Sequence, residues 1–139
     1  MQRRSFLTGT ATILAAALPG VSWAEVLFYM PGLLDKHLAQ GDTVVLDFTA
    51  SWCSTCQTQR RVLAALKDEN PAYDANLVFI DVDWDRYGRS TLVRRLRVPS
   101  RSTLVVMKGD TELARIVAGT SRKSIKDLLD VGLDAALAA

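Results

Sequence analysis

The segment Thr43-Val44-Val45-Leu46-Asp47-Phe48-Thr49-Ala50-Ser51-Trp52-Cys53-Ser54-Thr55-Cys56 joins two different patterns. Thr43 to Phe48 is β-branched and almost continuously apolar, the composition of a strand buried on both faces. From Cys56 to Lys67 the apolar positions Val62, Leu63 and Leu66 follow a helical period. The two cysteines, Cys53 and Cys56, lie where the strand gives way to the helix. In open α/β sheets, ligands and chemistry collect at the carboxyl ends of the strands. A cysteine at a helix start also has unpaired backbone N–H groups and the positive end of the helix dipole beside it. Both favour the thiolate, which is the reactive form. Cys53 is therefore the expected nucleophile. Cys56, one turn into the helix, is expected to resolve the mixed disulfide that Cys53 forms.

Working outward, Val26 to Tyr29 suggests a short strand, and Pro31-Gly32 turns into a helix with Leu33, Leu34, His37 and Leu38 on one face. Gly41-Asp42 ends that helix. After the Cys-x-x-Cys helix, Asn70-Pro71 breaks the chain, and Leu77 to Val82 is a second buried strand. A short helix is expected over 90–96. Thr103 to Met107 and Glu112 to Val117 form a hairpin about Lys108-Gly109-Asp110. A last helix starts near Ser121 and carries Ile125, Leu128, Leu129 and Leu133 as its apolar stripe. Strands alternating with helices imply an α/β fold with a central mixed, largely parallel sheet and helices on both faces. Neither a repeat nor a linker divides residues 25–139, so they are expected to form one domain.

A static disulfide and a zinc site are the competing readings of Cys53 and Cys56. A disulfide closing so small a loop would constrain little of the unfolded chain. Zinc requires four ligands, whereas the chain offers one histidine and no further cysteine. Redox chemistry is favoured, with no organic cofactor and no metal.

Asp47 to Cys56 resembles the active-site segment of the thioredoxin family, D-F-x-A-x-W-C-x-x-C, and the order of strands and helices resembles that family over essentially all of residues 25–139. The resemblance implies a thioredoxin fold and a thiol–disulfide oxidoreductase acting on protein thiols and disulfides. It implies that Trp52 shields Cys53 and shapes the substrate-docking surface, and that Asp47 exchanges protons with the resolving cysteine. A carboxyl group at the end of a buried strand should have a raised pKa, as that role requires. The bland alternative for Asp47 is a solvated residue at a strand end.

The chain departs from the family pattern in three places. Ser54-Thr55 stands between the cysteines, where the family has other pairs that help set the redox potential. Arg61 stands where the family has a helix proline. The family also places a cis-proline opposite the cysteines, just before the fourth strand. Val98-Pro99-Ser100 resembles that element, but counting back from Thr103 puts Ser102 at the same place. Pro99 and Ser102 are both carried as candidate docking residues, with the Ser102 register needing fewer insertions.

The first 24 residues have a different composition: Arg3 and Arg4, no acidic residue, an apolar stretch from Leu7 to Leu18, then Ser22-Trp23-Ala24. This is the three-part plan of a cleavable signal peptide, and the apolar run is too short to span a bilayer. Arg3-Arg4-Ser5-Phe6-Leu7 resembles the twin-arginine export signal. The expected location is the periplasm or cell envelope, with an uncleaved N-terminal anchor as the alternative. The whole chain has seventeen Lys and Arg against fifteen Asp and Glu. Without Arg3 and Arg4 the charges balance, so nucleic acid is not an expected partner.

Arg86, Arg89, Arg94, Arg95, Arg97 and Arg101 form a basic run that suggests either a docking patch or a solvated face paired to neighbours such as Asp83 and Asp85. His37, the one histidine, is expected to be a core or edge residue, and Trp84 an ordinary half-buried aromatic. The resemblance favours an envelope reductant, and in a disulfide-permissive compartment that role needs electrons supplied by a membrane thiol carrier. The alternatives are an envelope oxidase or isomerase, or a module that holds a partner or a metal such as copper. A monomer is expected for a small neutral domain.

Overall fold

The computed structural model describes residues 25–138, so the signal expected over 1–24 lies outside the described residues. The chain runs β1 (Leu27–Phe28), α1 (Leu33–Ala39), β2 (Thr43–Thr49), α2 (Ser54–Glu69), α3 (Ala72–Asn76), β3 (Val78–Asp83), α4 (Trp84–Tyr87), α5 (Thr91–Leu96), β4 (Thr103–Lys108), β5 (Thr111–Val117) and α6 (Arg122–Leu137). The five strands form one sheet in the order β1-β3-β2-β4-β5. β1, β3 and β2 are parallel, while β4 is antiparallel to β2 and to β5. The mixed sheet read from the sequence is present, and its parallel part is the three-strand half.

β2 occupies the middle of the sheet, which is why its seven residues are all buried. Side chains alternate along a strand, and here the alternation sorts the core into two layers. Val44, Leu46 and Phe48 pack with Ile80, Val82, Val105 and Leu92 on the face covered by α1 and α5. Val45 packs with Phe79, Leu104, Leu63 and Ile125 on the face covered by α2 and α6. Asp47 shares the parity of Val45, so the fold turns its carboxyl toward α2. Asp81 sits directly opposite it on β3.

Two short helices were not foreseen. After Asn70-Pro71 the chain forms α3, whose Tyr73 is buried against α6. Here Pro71 occupies the N-cap, a place where its missing N–H costs no intrahelical hydrogen bond. The residues Trp84 to Tyr87 form α4, capped by Asp83, whose side chain accepts from the Asp85 amide at 3.0 Å. The hairpin between β4 and β5 closes on the two residues Gly109 and Asp110, and Gly109 has φ of +60°, which glycine adopts without steric cost. Arg61, in place of the family's proline, leaves α2 as one continuous helix of 16 residues.

Candidate active site

The site is built where β2 ends and α2 begins. Cys53 is the N-cap of α2: its backbone is extended, and its Sγ accepts the Cys56 amide N–H at 3.2 Å. In that position the sulfur replaces the oxygen of an ordinary capping side chain and meets the positive end of a four-turn helix. Both sulfurs are buried, Cys53 5% exposed and Cys56 1%. Both are free thiols.

Ser102 closes the site from the opposite side. Its Oγ lies 3.1 Å from the Cys53 Sγ and 3.0 Å from the Cys56 Sγ. The register question thus resolves in favour of Ser102, because Pro99 is exposed on the loop after α5 and makes no such contact. No peptide bond among the described residues is cis, so the chain meets the sulfurs through a trans Arg101-Ser102 bond. Ser102 instead takes the left-handed region, with φ of +61°. A non-glycine residue there is strained, and such strain concentrates at functional sites. Three hydrogen bonds hold the backbone in place: the Ser102 N–H donates to the Phe48 carbonyl at 2.7 Å, and its carbonyl accepts from the Ala118 N–H at 2.8 Å and from Gln59 Nε2 at 2.9 Å.

Gln59 was not singled out from the sequence. It is fully buried on α2 and also donates to the Gly119 carbonyl at 2.9 Å. The available signal was its spacing, since Cys56, Gln59, Leu63 and Leu66 form the buried face of α2. A glutamine on such a face must find partners.

Burial pushes the Cys53 thiol up, but the Cys56 side chain, the Ser102 hydroxyl, the Cys56 amide and Arg101 together outweigh it and bring it down to about 7. Asp47 moves the other way. It is 5% exposed, and burial, with the negative charge of Asp81 next, raises its carboxyl to about 7 against the pull of Arg60. The Asp47 Oδ1 has no hydrogen-bond partner among the described residues, which suits a neutral carboxyl better than a charged one. Arg60 pairs with Asp81 at 2.6 Å across the mouth of a cleft of about 210 Å³ that reaches Asp47 between α2 and the sheet.

Trp52 is exposed beside Cys53, and two groups fix its indole. Its Nε1–H donates to both carboxylate oxygens of Asp85 at 3.0 Å, and the Arg101 guanidinium lies 4.4 Å from its ring centre. Trp84 is half-buried, as expected, yet it packs directly against Ala50, Cys53 and Cys56 and therefore also flanks the site. Gly88 leaves room for it, because a Cβ there would lie 2.6 Å from the Trp84 carbonyl.

The basic run does not act as one surface. Arg95 pairs with Asp35 at 3.1 Å, Arg94 donates to the Arg89 carbonyl at 2.7 Å, and Arg86 lies over the Tyr87 ring. Pairing to Asp83 and Asp85 does not occur, because Asp83 caps α4 and Asp85 holds Trp52. Of the six arginines, Arg101 lies over Trp52 beside Cys53. His37 is half-buried and contacts Asp42 at 2.8 Å, away from the site. Ser54 is exposed and Thr55 half-buried in the first turn of α2.

The thioredoxin family model matches residues 27–131. The chain belongs to the thioredoxin family. It is 31% identical over 96 residues to thioredoxin-2 of Saccharomyces cerevisiae, covering 68% of this chain and 86% of that protein. With thioredoxin H5 of rice it shares 34% over 86 residues, covering 62% of this chain and 59% of the rice protein. A third relative is the thiol:disulfide interchange protein DsbD of Pseudomonas fluorescens, 34% identical over 83 residues that make up 55% of this chain and 13% of that protein. Among solved structures, Trxlp of Edwardsiella tarda superposes with a TM-score of 0.66 at 28% identity, covering 76% of this chain and 98% of that one. Membership of the family, with the Cys53–Cys56 pair in place, makes the protein a thiol–disulfide oxidoreductase.

Proposed function

We propose that the protein is exported to the cell envelope and reduces disulfides there, with Cys53 as nucleophile, Cys56 as resolving thiol and Asp47 as acceptor of the Cys56 proton. The observation that supports this direction is the Cys53 sulfur capping α2, with the Cys56 amide at 3.2 Å and the Ser102 hydroxyl at 3.1 Å, an arrangement that brings the thiol down to about 7. Stabilising the thiolate stabilises the reduced protein and raises its potential; thioredoxin itself sits near 7, whereas a strong oxidant brings its cysteine to about 3.5. The start of α2 and the Ser102 hydroxyl supply a moderate stabilisation, suited to a donor of electrons.

In the first step the Cys53 thiolate bonds to one sulfur of the substrate disulfide, and the other sulfur leaves with the electron pair. In the second, Cys56 loses its proton to Asp47 and attacks the Cys53 sulfur, releasing the remaining substrate thiolate. The substrate gains two electrons and the pair becomes a disulfide. Exposed Trp52 offers the apolar surface on which a protein substrate docks. Regeneration requires a second exchange with a dithiol donor, for which a membrane thiol carrier is proposed. The similarity to a segment of a thiol:disulfide interchange protein supports that class of partner.

Equilibration with glutathione or dithiothreitol tests the direction. A potential near about −270 mV is expected, as for thioredoxin, and a value near −120 mV would make the protein an oxidant. Export is tested by fractionation. Replacing Arg3 and Arg4 by lysine should retain the chain in the cytoplasm if the twin-arginine route is used. Unchanged export of that variant would refute the route.

A further inference from the structure

Two sulfurs share one hydroxyl. The Ser102 Oγ is 3.1 Å from Cys53 and 3.0 Å from Cys56, yet it has a single proton to donate. We propose that the Ser102 hydroxyl is a catalytic donor that follows the negative charge through the reaction, serving the Cys53 thiolate before attack and the Cys56 thiolate during resolution. The inference rests on the oxidoreductase reading and deepens it.

Each sulfur is charged in a different step. In the reduced protein the thiolate is on Cys53, and the hydroxyl points there. Once Cys53 has bonded to a substrate sulfur, and the other substrate sulfur has left with the electron pair and taken a proton from water, Cys53 is neutral. Cys56 must then lose its proton and carry charge in a nearly closed environment, being 1% exposed. Rotation about the Ser102 Cβ–Oγ bond moves the donated hydrogen bond to it with no movement of the chain. Cys56 next forms its bond to Cys53, and the pair of the broken mixed disulfide leaves on the substrate. The serine keeps its proton throughout.

The surroundings hold the oxygen in this position. Ser102 is 3% exposed, so water competes poorly for the hydroxyl. Its backbone is fixed by Phe48, Ala118 and Gln59, the last also tied to Gly119. Gln59 is on this view a positioning residue. A proline at Ser102 would supply no donor at all.

The test uses the full chain carrying Ser102→Ala or Ser102→Gly. Both lose the hydroxyl, and glycine takes a positive φ without strain, so an effect shared by the two belongs to the hydroxyl. The reduced protein is mixed with sub-stoichiometric dithiobis-nitrobenzoate, which releases one thionitrobenzoate when Cys53 attacks and a second when Cys56 resolves. In both variants the pH midpoint of Cys53 alkylation should rise by about one unit, the loss of one hydrogen bond to a charged group. Both release phases should slow by about threefold near neutral pH, because a smaller thiolate fraction is partly offset by a more basic nucleophile. Slowing of the first phase alone would overturn the shared role, as would no change in either phase. A wild-type chain that releases no thionitrobenzoate overturns the exchange reading itself, and the hydroxyl's role with it.

Discussion

Cys53→Ser is expected to reduce disulfide-exchange activity to the buffer background, and Cys56→Ser to accumulate a covalent adduct with substrate. The two outcomes differ because the cysteines occupy different places on one helix. Cys53 caps α2, where its sulfur accepts the Cys56 amide at 3.2 Å and its thiol falls to about 7. At neutral pH a large share of it is therefore thiolate. Serine in its place has a hydroxyl that no group here brings near ionisation. Cys56 lies one turn further on, almost wholly enclosed. Its removal leaves the first exchange intact and the second without a nucleophile. Mass spectrometry after mixing with a disulfide substrate distinguishes these outcomes. The wild type should end as an internal disulfide, Cys56→Ser as the mixed disulfide and Cys53→Ser unmodified at Cys56. Activity that survived Cys53→Ser would show the nucleophile to be misassigned. The pH profile adds a second check: single-turnover attack should rise with a midpoint of about 7.

The sequence was most informative where one interaction dominates. The continuous apolar run of β2 gave a central strand, because seven consecutive buried residues need cover on both faces. The motif that overlaps its end pointed to Asp47, Trp52, Cys53 and Cys56. The less visible parts depend on contacts between distant segments. Ser102 faces the sulfurs only because β4 runs antiparallel to β2, pairing Thr103 with Phe48 and bringing the preceding residue to the end of β2. Counting back from Thr103 favours Ser102 over the more visible Pro99, but the serine's φ of +61° and its place between the two sulfurs cannot be read from the sequence. Asp81 and Arg60 were missed for a related reason. An aspartate within Leu77 to Val82 looks like a solvated position until strand register places it opposite Asp47. The arginine run misled in another way, as its guanidinium groups found separate partners: Arg94 the Arg89 carbonyl, Arg95 the Asp35 carboxylate of α1, and Arg86 and Arg101 aromatic rings. Asp85, one of the neighbours an arginine could have paired with, instead accepts from the Trp52 indole.

Asp47→Asn is expected to stabilise the fold as pH rises, in opposition to its effect on catalysis. The carboxyl is buried between α2 and the sheet, with the Asp81 charge nearby, and its pKa rises from the ordinary 3.8 to about 7. In the unfolded chain it is ionised above about pH 4. Between these values the folded state binds a proton that the unfolded state has released, so stability falls as pH rises through this window. At 1.36 kcal/mol per unit, the loss by pH 8 is about 4 kcal/mol, a large fraction of the 5–15 kcal/mol that typically separates a folded from an unfolded domain. Asparagine has nearly the same shape and no charge to bury. Denaturant unfolding of the variant should match the wild type near pH 4 and exceed it by a few kcal/mol at pH 8. Parallel stability curves at all pH values would mean that Asp47 ionises in the folded protein as readily as in water. The same substitution removes the proposed acceptor for the Cys56 proton, so the second thionitrobenzoate phase should slow by about 10²-fold, the usual contribution of a general base. Cys53 titrates in the opposite sense, its folded thiol lowered from 9.0 to about 7, so it adds stability between those values. The cost of the carboxyl therefore grows up to about pH 7 and stays constant above it, where the thiolate begins to restore some stability. A protein selected for stability alone would not keep Asp47. On the proposed mechanism the resolving step uses a base that is both buried and half-protonated near neutral pH, and burial provides it.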